Sequence, residues 1–390
     1  MKLLPFSLVR RRAVCAADTS THGNRLRHEK GSLAHQETKA SRGDRQSVMA
    51  SGKPPSKAYL VKFLAVSGAR YLKRCVKNCI KFVIGRRVYF SDDNVFFRLY
   101  LRQWMGGRPI RKITCRGFPG EGAGSQALMI MNAMNFAHAC GLTYVHTPFA
   151  RIAHADRPME KWVEAWEAQF NFGAGEVTAD KDDSEVVNYA VNFTDLLSCF
   201  GVEDLTRAFS ATLPNLKRKY WLNKTRCTRE KVTICVHVRR GDVTSPVDGM
   251  WTSASVIART VSRIKSILHS RSLTYTIRAF SQGEHADFIE LSSLGVDLFL
   301  DADPVWTMQE LVEADILIMA KSAFSHVAAL LSDGIIMSEA DSYPPLDFWL
   351  VRRPNGDFDE QSFERQLQSL IKSKQMRQSS GDAGTRESQI

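Results

Sequence analysis

Three things are scarce in this 390-residue chain, and each scarcity removes a class of protein. No apolar run of membrane-anchor length precedes residue 110, because a bilayer span needs about 20 mainly apolar residues. That argues against a Golgi enzyme of the usual anchored plan. Leu3–Val9 is apolar but short, and the arginines at 10–12 follow it instead of preceding it, so it makes a poor signal peptide. Ordered cysteine spacing is also missing. Cys15, Cys75, Cys79, Cys115, Cys140, Cys199, Cys227 and Cys235 contain no C-x-x-C and no Cys/His cluster, which sets aside a disulfide scaffold and a zinc site. Cys235 lies in an apolar run, where a thiol packs as a small core residue. Acidic residues are scarce at one end only. Residues 1–112 hold 25 Lys+Arg against 6 Asp+Glu, whereas the rest of the chain holds 28 against 35. The formal net charge of +12 therefore belongs to an N-terminal appendage. The body is mildly acidic and lacks a basic stripe with interleaved aromatics, so a nucleic-acid partner is not expected there.

What is present has the composition of a globular protein, 44% hydrophobic and 24% charged. Residues 1–58 are polar and aperiodic and read as a disordered basic extension. In residues 59–110 a basic amphipathic helical pattern begins. Leu60, Phe63, Leu64, Leu72, Val76, Ile80 and Val83 recur at helical spacing, interrupted by Lys62, Lys73, Lys77, Lys81 and Arg86. Two readings of residues 59–90 stay open: a helix resting on an anionic membrane surface, or one packed on the body with a solvated basic face.

From Lys112 onward, short β-prone runs alternate with helical patterns. The runs are Thr233–Val238, Tyr275–Phe280, Val296–Leu300, Asp315–Met319 and Gly334–Ser338; the helical patterns include Ser253–His269, Thr307–Ala314 and Phe324–Leu331. Such alternation predicts α/β architecture with parallel sheets. An amphipathic helix over Phe358–Lys372 closes the pattern.

Three segments carry chemistry. The first is GFPGEGAGSQ, residues 117–126, ahead of an apolar helix running to Cys140. Gly120, Gly122 and Gly124 let the backbone turn tightly, and with Ser125 and Gln126 they open a helix whose free N–H groups suit an anion or a hydroxyl. It is neither a Walker A loop nor a proper G-x-G-x-x-G, and a purely structural turn reads equally well. The second is His237-Val-Arg239-Arg240-Gly-Asp242, at the carboxyl end of the strongest strand, where open α/β sheets bind ligands. Arginine forks match phosphate oxygens. The third is the run from Asp315 through Lys321, Ser322 and Ser325 to Leu331, a buried strand turning into a small-residue helix. Ser322 is a natural N-cap, and the Ser322–Ser325 amides and hydroxyls also suit a phosphate. Ahead of it, Asp301-Ala-Asp303 follows a strand. A carboxylate there suits the N–H edge of guanine, a metal in a DxD pair, or an ordinary turn.

In their order and separation these segments resemble fucosyltransferases of the GT-B type that carry an HxRRGD-like strand end, the α1,2- and α1,6-enzymes among them; the resemblance covers about residues 113–345. It implies a GT-B-like α/β fold, two Rossmann-type domains whose parallel sheets face a cleft. Residues 111–226 would form the acceptor-side domain and 227–375 the nucleotide-sugar domain with its closing helix, before a disordered tail at 376–390. The resemblance further implies that Arg239 binds the donor diphosphate and His237 shapes the same pocket, with Arg240, Asp301, Ser322 and Ser325 as further donor contacts. The activity implied is inverting transfer of fucose from GDP-fucose to a glycan hydroxyl, with no cofactor and no metal, arginines neutralising the leaving group. A base must take the acceptor's proton. Asp242, Asp248 and Glu121 are candidates, and spacing does not choose among them. A same-fold transferase using another nucleotide sugar, and an inactive carbohydrate-binding relative, are the alternatives. The sequons at Asn192 and Asn223 matter only in a secretory lumen. A cytoplasmic protein, resting on a membrane if residues 59–90 do, is the expectation.

Overall fold

The computed structural model describes residues 111–387 apart from 181–185, 189–192, 228, 244–248 and 340–344. The expectations for residues 1–110 and for Asp248 fall outside the described residues. Everything described belongs to one compact unit, and no helix in it is long and apolar enough to cross a membrane.

Two parallel sheets form, as the alternating pattern predicts. The smaller has the order β2-β1-β3, with β1 at Lys112–Thr114, β2 at Thr143–Tyr144 and β3 at Val186–Asn188. Ile113 lies opposite both Tyr144 and Val187 and is wholly buried. Between β1 and β2 runs helix α1, Ala123–Cys140, whose apolar residues are buried almost all round, the mark of a central helix. Gly141, at φ 64°, ends it in the left-handed conformation that glycine adopts without steric cost. Helix α2 (Met159–Phe170) brings Trp162, Trp166 and Phe170 inward. Helix α3 (Phe193–Trp221) packs along α1, where Thr212 donates to the Asn135 side chain at 3.3 Å.

The larger sheet contains β4 (Val232–His237), β5 (Tyr275–Ser281), β6 (Asp297–Leu300), β7 (Ile316–Ile318), β8 (Ile335–Glu339) and β9 (Leu350–Arg352). Its order is β6-β5-β4-β7-β8-β9, every pair parallel. Counted from β4 this is the doubly wound order 3-2-1-4-5-6, whose direction of winding reverses between β4 and β7. β4 is a continuous apolar run because both faces of a parallel sheet are covered. One cover is α4 (Ala254–Ser270), which buries Ile257, Val261, Ile264 and Leu268 at helical spacing after Ser253 caps it by accepting from the Val256 N–H. Short helix α5 (Ile289–Ser292) precedes β6, α6 (Pro304–Glu313) follows it, and α7 (Ala323–Leu331) lies between β7 and β8.

The last helix, α8, spans Glu360–Glu387, so the expectation of a disordered tail from 376 is corrected. Its start is anchored by buried Phe363 and Leu367. Beyond Lys372 the run contains no proline, and Lys374, Gln375, Met376, Arg377 and Gln378 extend a nucleated helix at little cost, whereas Gly381 and Gly384 further on lend it no local support.

Candidate active site

The two sheets meet through helix N-termini. Gly124 sits in the first turn of α1 and Phe324 in the first turn of α7, and a Cβ added to Gly124 would lie 2.6 Å from Phe324 Cα. Two positive helix ends therefore converge at the winding reversal between β4 and β7. Phe324 is held from three sides: Gly124 beneath it, Trp166 edge-on at 6.2 Å, and the His237 ring at 5.5 Å.

Arg239 leaves the end of β4 and enters this crevice. Its Nε donates to Asp242 Oδ1 at 3.2 Å and an Nη to Oδ2 at 2.7 Å, a two-bonded fork on one carboxylate. Among the described residues its other Nη meets the Met250 thioether, a weak acceptor, at 3.1 Å and the Lys321 carbonyl at a long 3.3 Å. Phosphate oxygen is a far stronger partner for that edge. Asp242 is held below the usual carboxylate range, first by the hydrogen bond from Arg239 and further by the charges of Arg239 and His154. Its oxygens are spent on orienting the arginine, and a carboxylate stabilised as an anion is a weak base.

The neighbouring predicted contacts divide sharply. Arg240 is buried and turned into the protein, its guanidinium 3.5 Å from the Trp251 ring centroid and donating to the Arg239 and Thr252 carbonyls. It supports the loop and leaves the crevice to Arg239. Ser322 caps α7 by accepting from the Phe324 N–H at 3.2 Å. Ser325 is fully buried and donates backwards to the Ala320 carbonyl at 2.9 Å, so its hydroxyl closes the turn and does not face a ligand. Gln126 is buried too. Its amide donates to the Glu121 and Arg151 carbonyls at 2.8 and 2.9 Å, latching the glycine loop to the segment ahead of α2. Gly122 caps α1 by its backbone, Gly120 has open space around it, and Ser125 is half-buried.

The DxD string separates as well. Asp303 caps α6 through Oδ1, which accepts from the Trp306 N–H at 2.8 Å, while Oδ2 is paired with Arg157. Both oxygens are thus committed. Asp301 is exposed, with φ 51°, and its N–H bonds to the Ser281 carbonyl. It lies two strands from β4, about 10 Å at ordinary strand spacing.

Sequence reasoning gave three neighbours of the crevice no role. Lys321 is bonded to Glu339 at 2.8 Å, and Glu339 also accepts from Thr252 and Arg352, so a buried ionic network braces the loop under Arg239. Arg157 bridges from the α2 entry to Asp303. His154, at φ 58°, borders Gly122. Lys321 stood inside the segment that carries Ser322, with its partner Glu339 distant in sequence; His154 and Arg157 come from a polar loop without periodicity, and only the fold brings them to the crevice.

No family model matches the sequence, and no curated protein sequence does. Solved structures similar to it include the E. coli heptosyltransferase WaaC with ADP-2-deoxy-2-fluoro heptose, at 13% identity and a TM-score of 0.32, covering 64% of this chain and 95% of that one. Another is the NodZ α1,6-fucosyltransferase co-crystallised with GDP, at 16% identity and 0.26, covering 58% and 93%. A third is POFUT1 in complex with GDP, at 12% and 0.21, covering 57% and 70%. These neighbours are glycosyltransferases. Likenesses this loose assign no residue a role; the crevice itself carries the argument.

Two histidines give the protein an acid-sensitive core. Burial, helped by the charge of Arg239, holds the His237 ring down to about 4, and its Nδ1 is sealed from solvent without a hydrogen bond among the described residues. Burial alone holds His326 down to about 3. Both are neutral in the folded state at pH 7, whereas the unfolded chain protonates them below about 6.5. The unfolded state therefore binds more protons as pH falls, and stability drops from about pH 6.5 towards 4, by up to ~1.4 kcal/mol per unit for each ring. Urea midpoints measured between pH 7 and 4.5 are expected to fall accordingly, with a shallower slope in His326→Asn. A slope unchanged in that variant would show that His326 does not titrate between the two states.

Proposed function

We propose that this protein is a glycosyltransferase whose donor is a nucleoside-diphosphate sugar, seated where the winding of the larger sheet reverses. One observation carries the reading: Arg239 is oriented by Asp242 and presents its under-used edge beside the N-terminus of α7, with His237 alongside. Open α/β sheets bind nucleotides at this position, and the arrangement offers fixed positive donors to a departing diphosphate.

In the mechanism, an acceptor hydroxyl attacks the anomeric carbon from the face opposite the diphosphate, and configuration inverts. Positive charge spreads over the sugar ring while negative charge builds on the phosphate oxygens. Arg239 and the amides at the start of α7 meet that negative charge without reorganising, because Asp242 and the Glu339 network hold them beforehand. Asp303 is occupied as cap and ion-pair partner, so the reading assigns leaving-group stabilisation to Arg239 and not to a metal held by DxD. GDP-fucose is the donor and a glycan the acceptor in the most specific form of the proposal, resting on the HVRRGD segment; Asp301 is then the residue placed to meet the base. A different nucleotide sugar would keep Arg239 in its role and change the group read near Asp301.

Calorimetry with GDP, UDP, ADP and CMP in the presence of EDTA tests this. Binding of GDP in preference to the others is expected, unaffected by the chelator. Preference for another nucleotide discards fucose and keeps transfer; binding that needs a divalent cation overturns the metal-free scheme; no binding at all overturns transferase activity.

A further inference from the structure

We propose that His154 is the general base that accepts the acceptor's proton, an assignment that rests on the glycosyl-transfer reading above. Transfer needs a group with a free lone pair, open to solvent and beside the leaving-group site. Of the carboxylates suggested by sequence, Asp248 lies outside the described residues, Asp242 is bonded twice by Arg239, and Glu121 is exposed on the glycine loop with no side-chain hydrogen bond among the described residues. His154 is exposed, and its ring carries no hydrogen bond among the described residues.

Its position is fixed by the segments around it. The Ala153 N–H donates to the Glu121 carbonyl at 3.0 Å, Gln126 ties Arg151 to the same loop, and Arg157 is clasped to Asp303 on the far side. These bonds hold His154 at φ 58°, a left-handed conformation that a non-glycine residue keeps only where its surroundings over-determine it. The ring edge lies 3.5 Å from where a Cβ at Gly122 would stand, so glycine there leaves the imidazole room. From Gly122 the path to the donor site is short, since Gly124 packs on Phe324 and Phe324 on His237. The charged groups on the surrounding elements are Glu121 from the glycine loop, Asp156 and Arg157 from its own segment, Arg239 and Asp242 from the β4 loop, and Asp303 before α6. The charge of Asp242 is coupled to that of His154.

In the step, an acceptor oxygen lone pair forms the bond to the anomeric carbon while its O–H proton moves to the free ring nitrogen of His154. The bond from that carbon to the diphosphate oxygen breaks, and its electron pair leaves with the nucleotide. The charge of Asp242, coupled to that of His154, favours the imidazolium so formed.

The test uses the full chain with His154→Gln and His154→Ala, GDP binding by calorimetry, and GDP release from GDP-fucose with a glycan or water as acceptor. GDP affinity within about twofold of wild type is expected, with GDP release lowered roughly 100-fold or more, the usual worth of a positioned base. Added imidazole should restore part of the rate of His154→Ala, a rescue that a merely structural role would not show. Retention of the wild-type rate in His154→Gln, or no rescue of His154→Ala, overturns the assignment, as does a loss of GDP affinity that accounts for the loss of rate. Failure of the wild-type chain to bind any of GDP, UDP, ADP and CMP would instead overturn the transferase reading beneath it.

Discussion

Arg239→Ala is expected to weaken nucleoside-diphosphate binding by roughly 100-fold and to remove almost all turnover, while leaving the unfolding midpoint within about 1 kcal/mol of wild type. Charge-assisted hydrogen bonds to phosphate are worth about 1.5–3 kcal/mol each, and a pre-oriented guanidinium loses little entropy on binding. The structural cost is small because Asp242, its partner, is exposed and is hydrated once released. Arg239→Lys should recover little, since an ammonium does not reproduce the fork that Asp242 orients. The contrast with its neighbour is diagnostic. Arg240 is buried, stacked on Trp251 and bonded to two carbonyls, so Arg240→Ala should lower stability by about 2 kcal/mol. Parallel calorimetry and urea unfolding of the two variants separate the roles. An Arg239→Ala protein that binds GDP as wild type does would remove Arg239 from the donor site.

Gly124→Ala is expected to be the most damaging single-methyl change in the crevice. The added Cβ would stand 2.6 Å from Phe324 Cα and 2.8 Å from its N, backbone atoms at the start of α7 that have no flexible end to swing away. Alanine gains up to about 1 kcal/mol over glycine in helix propensity, but forcing a close-packed contact apart costs about 1–3 kcal/mol or more. The clash wins, because yielding means separating two helices that join the two sheets. With a net cost of about 2 kcal/mol, a fall in Tm of roughly 4–8 °C follows at the usual 2–4 °C per kcal/mol, together with weaker nucleotide binding, since α7's first turn moves. Gly120→Ala is the control: its added Cβ meets nothing within 4 Å, so Tm should hardly change. Equal thermal stability of the two variants would show that the α1–α7 approach is looser than described.

Much of the larger sheet was legible in advance. β4, β5, β7 and β8 stand within about two residues of the predicted runs, because strands buried on both faces are continuous apolar stretches bounded by turns. The smaller sheet was not legible strand by strand. β1, β2 and β3 have three, two and three residues, too short to show a period, and they become strands only by pairing with one another. The strand end rich in Arg and His lies at the winding reversal of the larger sheet, yet the roles of adjacent residues could not be read from it. Arg239 and Arg240 are identical in chemistry, as are Ser322 and Ser325 or Asp301 and Asp303. Arg240 is used up in stacking and Asp303 in capping and ion pairing, while Ser322 caps α7 and Ser325 closes the turn before it.

By itself, then, the sequence determined the α/β class, the parallel strands of the larger sheet, the glycine turn before α1 and the cationic strand end. These depend on local propensity and on apolar patterning, which are written along the chain. Only the tertiary structure decided that α1 and α7 meet end to end, that Asp242 orients Arg239, and that His154 and Arg157 reach the crevice from a loop more than 80 residues before β4's end. Those are contacts between segments distant in sequence, and their geometry exists only once both sheets have formed and packed.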